Sequence, residues 1–365
     1  MTECLAAVVT DYNGPLVTRK VTVPDLKPGA MIGKVEAATL CGTDVHIWHG
    51  GIPASPPYIP GHETVVTIAE MNGERRDVLG MPLGIGDRVI TAYPFCGTCF
   101  YCAIANQPTL CQNSARYGRE NCEEFPYLLG GCAELHYLSP HSEVVRVPDE
   151  VSGPLAASAA CALRTVMHAF ERLGGILPHE TVLVQGCGPV GLYATAVARD
   201  RGAGKIIVVG APAARLGIAK AWGADEVLDL DHQPDPKVRQ EWVLEQTDGR
   251  GPDVVLQCAG GRAIEEGLDL VRPGGRFVSI GGGGGKLSVS GGALSAKNLQ
   301  FIGIRSGQGR HYLQAITFLA TRRSVPFDQL LSRTYSLDTV TDALQAMAEL
   351  REVKPVVLPS ISGNN

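Results

Sequence analysis

The chain has 365 residues, 45% of them hydrophobic and 19% charged, with a formal net charge of -5. Such a chain has apolar material for a substantial core and length enough for two domains. It carries no long run of like charge to attract nucleic acid or an anionic membrane. Its apolar runs are broken by charge or glycine well short of membrane-spanning length. The start, Met1 to Val9, lacks a basic region and an adequate apolar stretch, so no signal peptide is expected. The 11 cysteines are odd in number and clustered. That pattern reads as metal binding in a reducing compartment rather than a disulfide framework, and a cytoplasmic location is expected.

From the start to about Leu163, short apolar strands alternate with Pro/Gly/Asp turns: Val8-Val9, Ile32 to Ala37, Thr64 to Ile68 and Asp87 to Ile90. This predicts a strand-rich, partly open barrel. Within it, Cys41-Gly42-Thr43-Asp44-Val45-His46 and then Gly61-His62-Glu63 gather a thiol, a hydroxyl, two carboxylates and imidazoles. A soft thiolate and a neutral imidazole are the ligands zinc prefers. A third soft ligand would complete a site with one open position, and Cys161 is the candidate. Next, Cys96, Cys99 and Cys102 form two overlapping C-x-x-C steps, and Cys111 completes four thiols. Four sulfurs close a tetrahedral structural zinc site. A C-x-x-C redox pair would have no use for the third and fourth cysteines; an iron–sulfur cluster is the other alternative. Cys4, Cys122, Cys132, Cys187 and Cys258 read as unliganded.

Past Leu163, strand-like and helix-like segments alternate: Thr181 to Val184, Val190 to Arg201, Lys205 to Val209, Ala213 to Trp222, Asp253 to Gln257 and Arg276 to Ile280. Alternation of this kind predicts a parallel, doubly wound sheet. Gly186-Cys187-Gly188-Pro189-Val190-Gly191 follows the first of these strands and opens a helix. There the glycines permit a tight turn, approach of backbone to a pyrophosphate, and close helix–strand packing. At the end of the second strand, Gly210-Ala211-Pro212 lacks the carboxylate that would hold an adenosine ribose. Arg215 lies a turn further, within reach of an adenine edge or a phosphate. Gly281 to Gly285 is either a loop or a second close approach to cofactor. Beyond about Ser306, His311 to Thr321 and Leu337 to Leu350 are expected helices, and Lys354 to Leu358 a last strand.

These motifs, together with Ala160-Cys161-Ala162, run in one order over nearly the whole chain. They resemble the zinc-dependent medium-chain alcohol dehydrogenase family, and the Cys41–His46 segment is also similar to threonine and polyol dehydrogenases. The resemblance implies an α/β chain. A chaperonin-10-like, strand-rich catalytic domain would cover residues 1–162, completed by 306–365. A Rossmann dinucleotide-binding domain with a doubly wound parallel sheet would cover 163–305.

The resemblance also implies roles. Cys41, His62 and Cys161 would hold a catalytic zinc, with Glu63 beside the metal as a transient ligand and Asp44 orienting the ligating imidazole. Thr43 would accept the alcohol proton, and His46 would pass it through the cofactor ribose to solvent. Cys96, Cys99, Cys102 and Cys111 would hold a second zinc; the gap before Cys111 is one residue longer than in the best-known relatives. Gly186, Gly188, Pro189, Val190, Gly191, Gly210 and Arg215 would bind NAD or NADP, the choice left open. Gly42 replaces an arginine that some relatives place beside the pyrophosphate.

The expected reaction is hydride transfer between an alcohol, secondary and giving a ketone, and the nicotinamide. One alternative is an NADPH-dependent aldehyde or ketone reductase. Another is a non-catalytic nucleotide-binding protein, against which the intact set Cys41, Thr43, His46, His62 and Glu63 argues. Tyr117, Phe125, Tyr127 and Leu128, with Ile47, Trp48 and Tyr93, are candidates to line a substrate cleft. They would suit a hydrophobic or cyclic alcohol, with a polar one still open. The expected partners are the alcohol or ketone and further copies of the chain. A homodimer or homotetramer would meet near Leu287 to Ile302, with no nucleic acid and no membrane involved.

Overall fold

Runs rich in Val, Thr and Ile, such as Glu63–Met71, favour extended backbone because β-branched side chains pack well on a pleated surface. In the computed structural model, which describes residues 2–261, 263–281 and 288–361, such runs build the first of two units. That unit comprises Met1–Arg164, Ser306–Arg323 and Leu330–Asn365. Its main sheet has the order Thr334–Tyr335, Val356–Val357, Met31–Thr39, Glu63–Met71, Arg88–Thr91 and Val144–Arg146, with Leu135–Leu138 also on Met31–Thr39. Met31, Val66, Ile68, Val89 and Leu138 form one core. Val8, Leu40, Trp48, Leu128 and Leu344 belong to another.

Register has a consequence for the site. Thr39 lies opposite Glu63, and Val356 lies opposite Thr39 on the other edge of the same strand. Three strands far apart in sequence thus end side by side.

The second unit comprises Thr165–Arg305 and Ser324–Gln329. Its sheet is parallel, in the order Glu226–Asp229, Lys205–Gly210, Thr181–Gln185, Val254–Gln257, Arg276–Ser279 and Gln300–Gly303. Leu183, Ile207, Val255 and Phe277 fill its core. Strand order reverses between Thr181–Gln185 and Val254–Gln257, the switch point at whose carboxyl ends such sheets bind ligands.

Several expected elements differ in extent. Residues Ser324–Gln329, expected with the returning tail, cluster with the second unit. Phe327 packs 5.2 Å from the Trp222 ring, and Trp222 Nε1 donates to the Pro326 carbonyl at 3.3 Å. The expected helix from Leu337 opens as a 3-10 turn, Leu337–Thr339, before the helix Val340–Ala348. The last strand shortens to Val356–Val357. Of the glycine run, residues 282–285 lie outside the described residues, as does Leu287. No helix among the described residues is long and apolar enough to cross a membrane.

Candidate active site and cofactor cradle

The helix Gly42–Trp48 begins with a thiol as its cap. Cys41 is the N-cap, its Sγ accepting from the Thr43 amide at 3.3 Å. Asp44, three residues on, closes a capping box by accepting the Cys41 amide on Oδ2 at 2.9 Å. Its Oδ1 accepts from the Gly61 amide at 3.2 Å and from His62 Nδ1–H at 3.1 Å. One buried carboxylate therefore both starts the helix and orients an imidazole. With its proton on Nδ1, His62 keeps a lone pair on Nε2, which lies 3.4 Å from Cys41 Sγ. Cys161 arrives on a π-helical turn, Ala159–Leu163. The donor atoms of Cys41, His62, Glu63 and Cys161 all lie within 4.8 Å of one another.

Electrostatics favours this grouping. Burial opposes both charges of the Asp44–His62 pair, yet their attraction wins, holding Asp44 below and His62 above their usual ranges; a metal on Nε2 would take the place of the second ring proton. The Cys161 thiol is held well below its ordinary value, first by Cys41 beside it and then by Arg164 and His62, against burial. The Cys41 thiol is raised in turn by Cys161 and by burial. Two thiols and an oriented imidazole in close reach are a donor set that fits zinc.

Thr43 is half-buried and adjoins the group through its amide contact with Cys41. His46 is exposed one turn further along the same helix, on the face it shares with Thr43. Glu63 is fully buried. Its carboxylate accepts from Lys354 Nζ, at 2.7 Å on Oε1 and 2.6 Å on Oε2, and Thr39 Oγ1 donates to Oε2. Burial disfavours both charges of this pair: Glu63 outweighs it for the lysine and holds Lys354 protonated, whereas burial pushes the Glu63 carboxyl up to about 7 against the pull of Lys354.

Sequence reasoning missed Thr39, Lys354 and Arg164. The signals were charges in apolar settings: a lysine just before Pro355-Val356-Val357, and an arginine three residues after Cys161 in an alanine-rich stretch. Arg164 is 3% exposed; its Nε donates to the Ala160 carbonyl at 3.0 Å and Nη1 to Ser306 Oγ. Its guanidinium lies 5.8 Å from the Tyr93 ring centre and 5.4 Å from that of Tyr312.

Most expected cleft residues are core instead. Ile47, Trp48 and Leu128 are buried in one apolar cluster, with Tyr127 packed against it. Trp48 Nε1 spends its donor on the Gly14 carbonyl at 2.8 Å. Tyr117 is buried, its hydroxyl 2.7 Å from Ser142 Oγ and its ring against Tyr93 and His136. Phe125 is exposed beneath Lys27. Tyr93 is half-buried, with Arg116 as well as Arg164 against its ring.

The four thiols of Cys96, Cys99, Cys102 and Cys111 also lie within 4.8 Å of one another. The helix Phe100–Ala103 buries none of its residues, so packing does little to hold that turn; Thr109 and Cys111 further on are buried. Backbone amides of Thr98 and Cys99 pull the Cys96 thiol down to about 5, readying it as a thiolate. The 3-10 turn Pro108–Leu110 delivers Cys111, whose Sγ accepts from the Cys96 amide at 3.4 Å. The remaining cysteines belong to neither group among the described residues. Cys122 receives a contact from Arg19 at 3.6 Å, and Cys187 donates to the Ala211 carbonyl at 3.2 Å.

In the second unit, Gly186 turns the chain at φ +100, and a Cβ on Gly191 would lie 1.8 Å from the Gly186 carbonyl oxygen. Only glycine allows that packing. A Cβ on Gly188 would meet nothing within 4 Å. Gly188 caps the helix Pro189–Asp200 without a side-chain bond; Pro189 and Val190 form its first turn. An open, uncapped helix N-terminus at a sheet switch point fits a pyrophosphate. At Gly210 a Cβ would lie 2.6 Å from Cys187 Sγ, so that thiol occupies the space a larger residue would need. Arg215, in the first turn of Ala213–Ala221, is largely buried and within electrostatic reach of Cys187.

A metal-competent thiol and imidazole group in one unit and a dinucleotide cradle in the other define a metal- and nucleotide-dependent oxidoreductase. Comparison with known proteins agrees. Residues 27–149 match the alcohol dehydrogenase GroES-like domain, and residues 189–321 match the zinc-binding dehydrogenase domain. The chain is 33% identical to 5-exo-hydroxycamphor dehydrogenase of Pseudomonas putida, over 96% of this chain and 98% of that one. An alcohol dehydrogenase structure from Thermotoga maritima superposes with a TM-score of 0.92 at 29% identity, covering 99% and 100% of the two chains. A zinc-binding dehydrogenase from Sinorhizobium meliloti, solved bound to NADP, gives 0.85 at 27%, covering 98% and 100%. The chain belongs to the zinc-dependent medium-chain alcohol dehydrogenase family. It is an alcohol oxidoreductase that uses zinc and a nicotinamide cofactor.

Proposed function

We propose that this enzyme oxidises a secondary alcohol to its ketone with NADP+, and runs the reverse with NADPH. In this reading Cys41, His62 and Cys161 hold the catalytic zinc, and Cys96, Cys99, Cys102 and Cys111 hold a structural one. The observation that carries it is the convergence of the first group's donor atoms, within 4.8 Å, around an imidazole that Asp44 orients. The first unit, Met1–Arg164 with Ser306–Arg323 and Leu330–Asn365, serves as the catalytic domain, and the second, Thr165–Arg305 with Ser324–Gln329, as the dinucleotide domain.

When bound, zinc supplies Lewis acidity that brings an alcohol hydroxyl toward ionisation at neutral pH, and the nicotinamide supplies the hydride acceptor. The chain's own residues orient and move protons. Asp44 keeps His62 in the tautomer that turns Nε2 to the metal. Thr43 takes the hydroxyl proton, and exposed His46, on the same helix face, hands it to solvent. Gly186, Gly188, Pro189, Val190 and Gly191 seat the pyrophosphate.

Two features support NADP over NAD. Gly210 removes the carboxylate that would repel a 2′-phosphate, and Arg215 supplies positive charge nearby. The Sinorhizobium meliloti relative was solved with NADP. The Pseudomonas putida relative is named for 5-exo-hydroxycamphor, which supports trying cyclic secondary alcohols first. A homodimer or homotetramer is supported by the edge strand Gln300–Gly303, whose Phe301 is 45% exposed. Static light scattering reads that mass directly. The two thiol clusters suit a reducing, cytoplasmic setting.

Initial rates of NADP+ and NAD+ reduction with cyclic secondary alcohols and polyols, with and without a zinc chelator, test the proposal. Chelator-sensitive turnover is expected, with kcat/KM about tenfold or more higher for NADP+. Absence of both turnover and bound zinc would overturn it.

A further inference from the structure

Glu63 belongs by distance to the metal-competent group, yet both its oxygens are already engaged. Lys354 Nζ lies 2.7 Å from one and 2.6 Å from the other, and Thr39 donates to the second. Glu63 and Lys354 are each 0% exposed. The lysine is held from both sides. Ser332 Oγ accepts from the Val353 and Lys354 amides at 2.9 Å, and the Pro355 carbonyl accepts from the Leu40 amide at 3.2 Å. The strand register sets Thr39 opposite Glu63 and Val356 opposite Thr39, so the clamp is built into the sheet.

We infer that Lys354 is a positioning residue that keeps the Glu63 carboxylate off the catalytic metal, leaving three protein ligands and an open position. This rests on Cys41, His62 and Cys161 being the catalytic zinc set. Charge explains why the clamp works. Two thiolates balance a divalent zinc, and Glu63 balances Lys354. Moving Glu63 onto the metal would give zinc a third anionic ligand and strand a buried ammonium, which is strongly unfavourable. Without the ammonium, the metal becomes the cation that a buried carboxylate would seek. A fourth protein ligand would then close the position the substrate needs.

The test replaces zinc by cobalt(II) in the full-length enzyme and titrates it with imidazole, reading the visible cobalt bands as nitrogen enters the fourth position. Wild type should bind imidazole. Lys354→Met should bind it about tenfold or more weakly, Lys354→Arg within about threefold of wild type, and the double variant Lys354→Met with Glu63→Gln should recover. Glu63→Gln alone should leave imidazole affinity within about twofold, since Glu63 is not on the metal at rest. If Lys354→Met does not fold, Lys354→Gln takes its place, with the same weakening of imidazole binding expected and binding equal to wild type again overturning the inference. Imidazole binding by Lys354→Met equal to wild type overturns the inference, and so does tightening by about tenfold in Glu63→Gln. Cobalt–thiolate bands that Cys41→Ser leaves untouched would instead show that the metal lies elsewhere, ending the inference through its premise.

Discussion

Asp44 divides two oxygens among three donors: the Cys41 amide, the Gly61 amide and His62 Nδ1–H. An asparagine would keep most of the cap but not the charge that orients the ring. Asp44→Asn should therefore weaken zinc at the first site by about 10- to 100-fold, while zinc at the four-cysteine group stays bound. Competition with a chromophoric chelator measures both, and equal affinities in wild type and variant would remove Asp44 from the metal's support. His136 offers a pH-dependent counterpart. It is buried, its Nδ1–H donating to the Gly130 carbonyl at 3.2 Å, and burial pushes it down to about 4 against that bond. Unfolded, the ring titrates near about 6.5, so the unfolded chain binds the extra proton between those values. Stability from the neutral ring is full above about 6.5 and is lost as pH falls toward the folded value, by up to about 3 kcal/mol. Denaturant titrations at pH 7.5 and 5 should show this loss reduced in His136→Gln; identical slopes would place the proton elsewhere.

Among the elements, the helix of the Cys96–Cys111 lobe has little packing of its own. That helix, Phe100–Ala103, has four residues, none buried, and Phe100 and Ile104 are exposed. Ordering such a segment costs about 1–2 kcal/mol per residue in backbone entropy, which apolar burial does not offset here. Cys111→Ser should lose one zinc equivalent per chain and open the lobe to limited proteolysis, with the rest of the first unit resistant. Zinc analysis with peptide mapping reads both, and retention of both zinc equivalents would show the fourth thiol to be dispensable. The opposite case is the helix Pro189–Asp200, which buries Gly191 through Ala198 and needs no metal. Its start was legible because glycine spacing directly encodes a tight turn and a close approach. The paired strands around Lys354 were not legible, because register depends on which distant strands meet.

At the scale of the whole chain, a ligand that binds only the folded state stabilises it by mass action. NADPH at about 100 times its dissociation constant should add about 2.7 kcal/mol to the fold that binds it. A tenfold preference over NADH corresponds to about 1.4 kcal/mol less for NADH at equal concentration. Calorimetric melting with each cofactor should therefore rank NADPH above NADH, and equal shifts would dissolve the roles given to Gly210 and Arg215.

Short-range patterns determined the class of fold, the two thiol-rich groups and the nucleotide-binding turn. In each, the residues that act together lie within one turn or one loop, or in motifs whose order the family shares. Tertiary structure alone decided what surrounds them. Lys354 lies 291 positions from Glu63, and Ser306 lies 142 from Arg164. Trp48 and Leu128, read as candidates for a cleft, are packed in the core. Such pairings arise from strand register and from the exclusion of water around buried charge, and neither has a signature in local sequence.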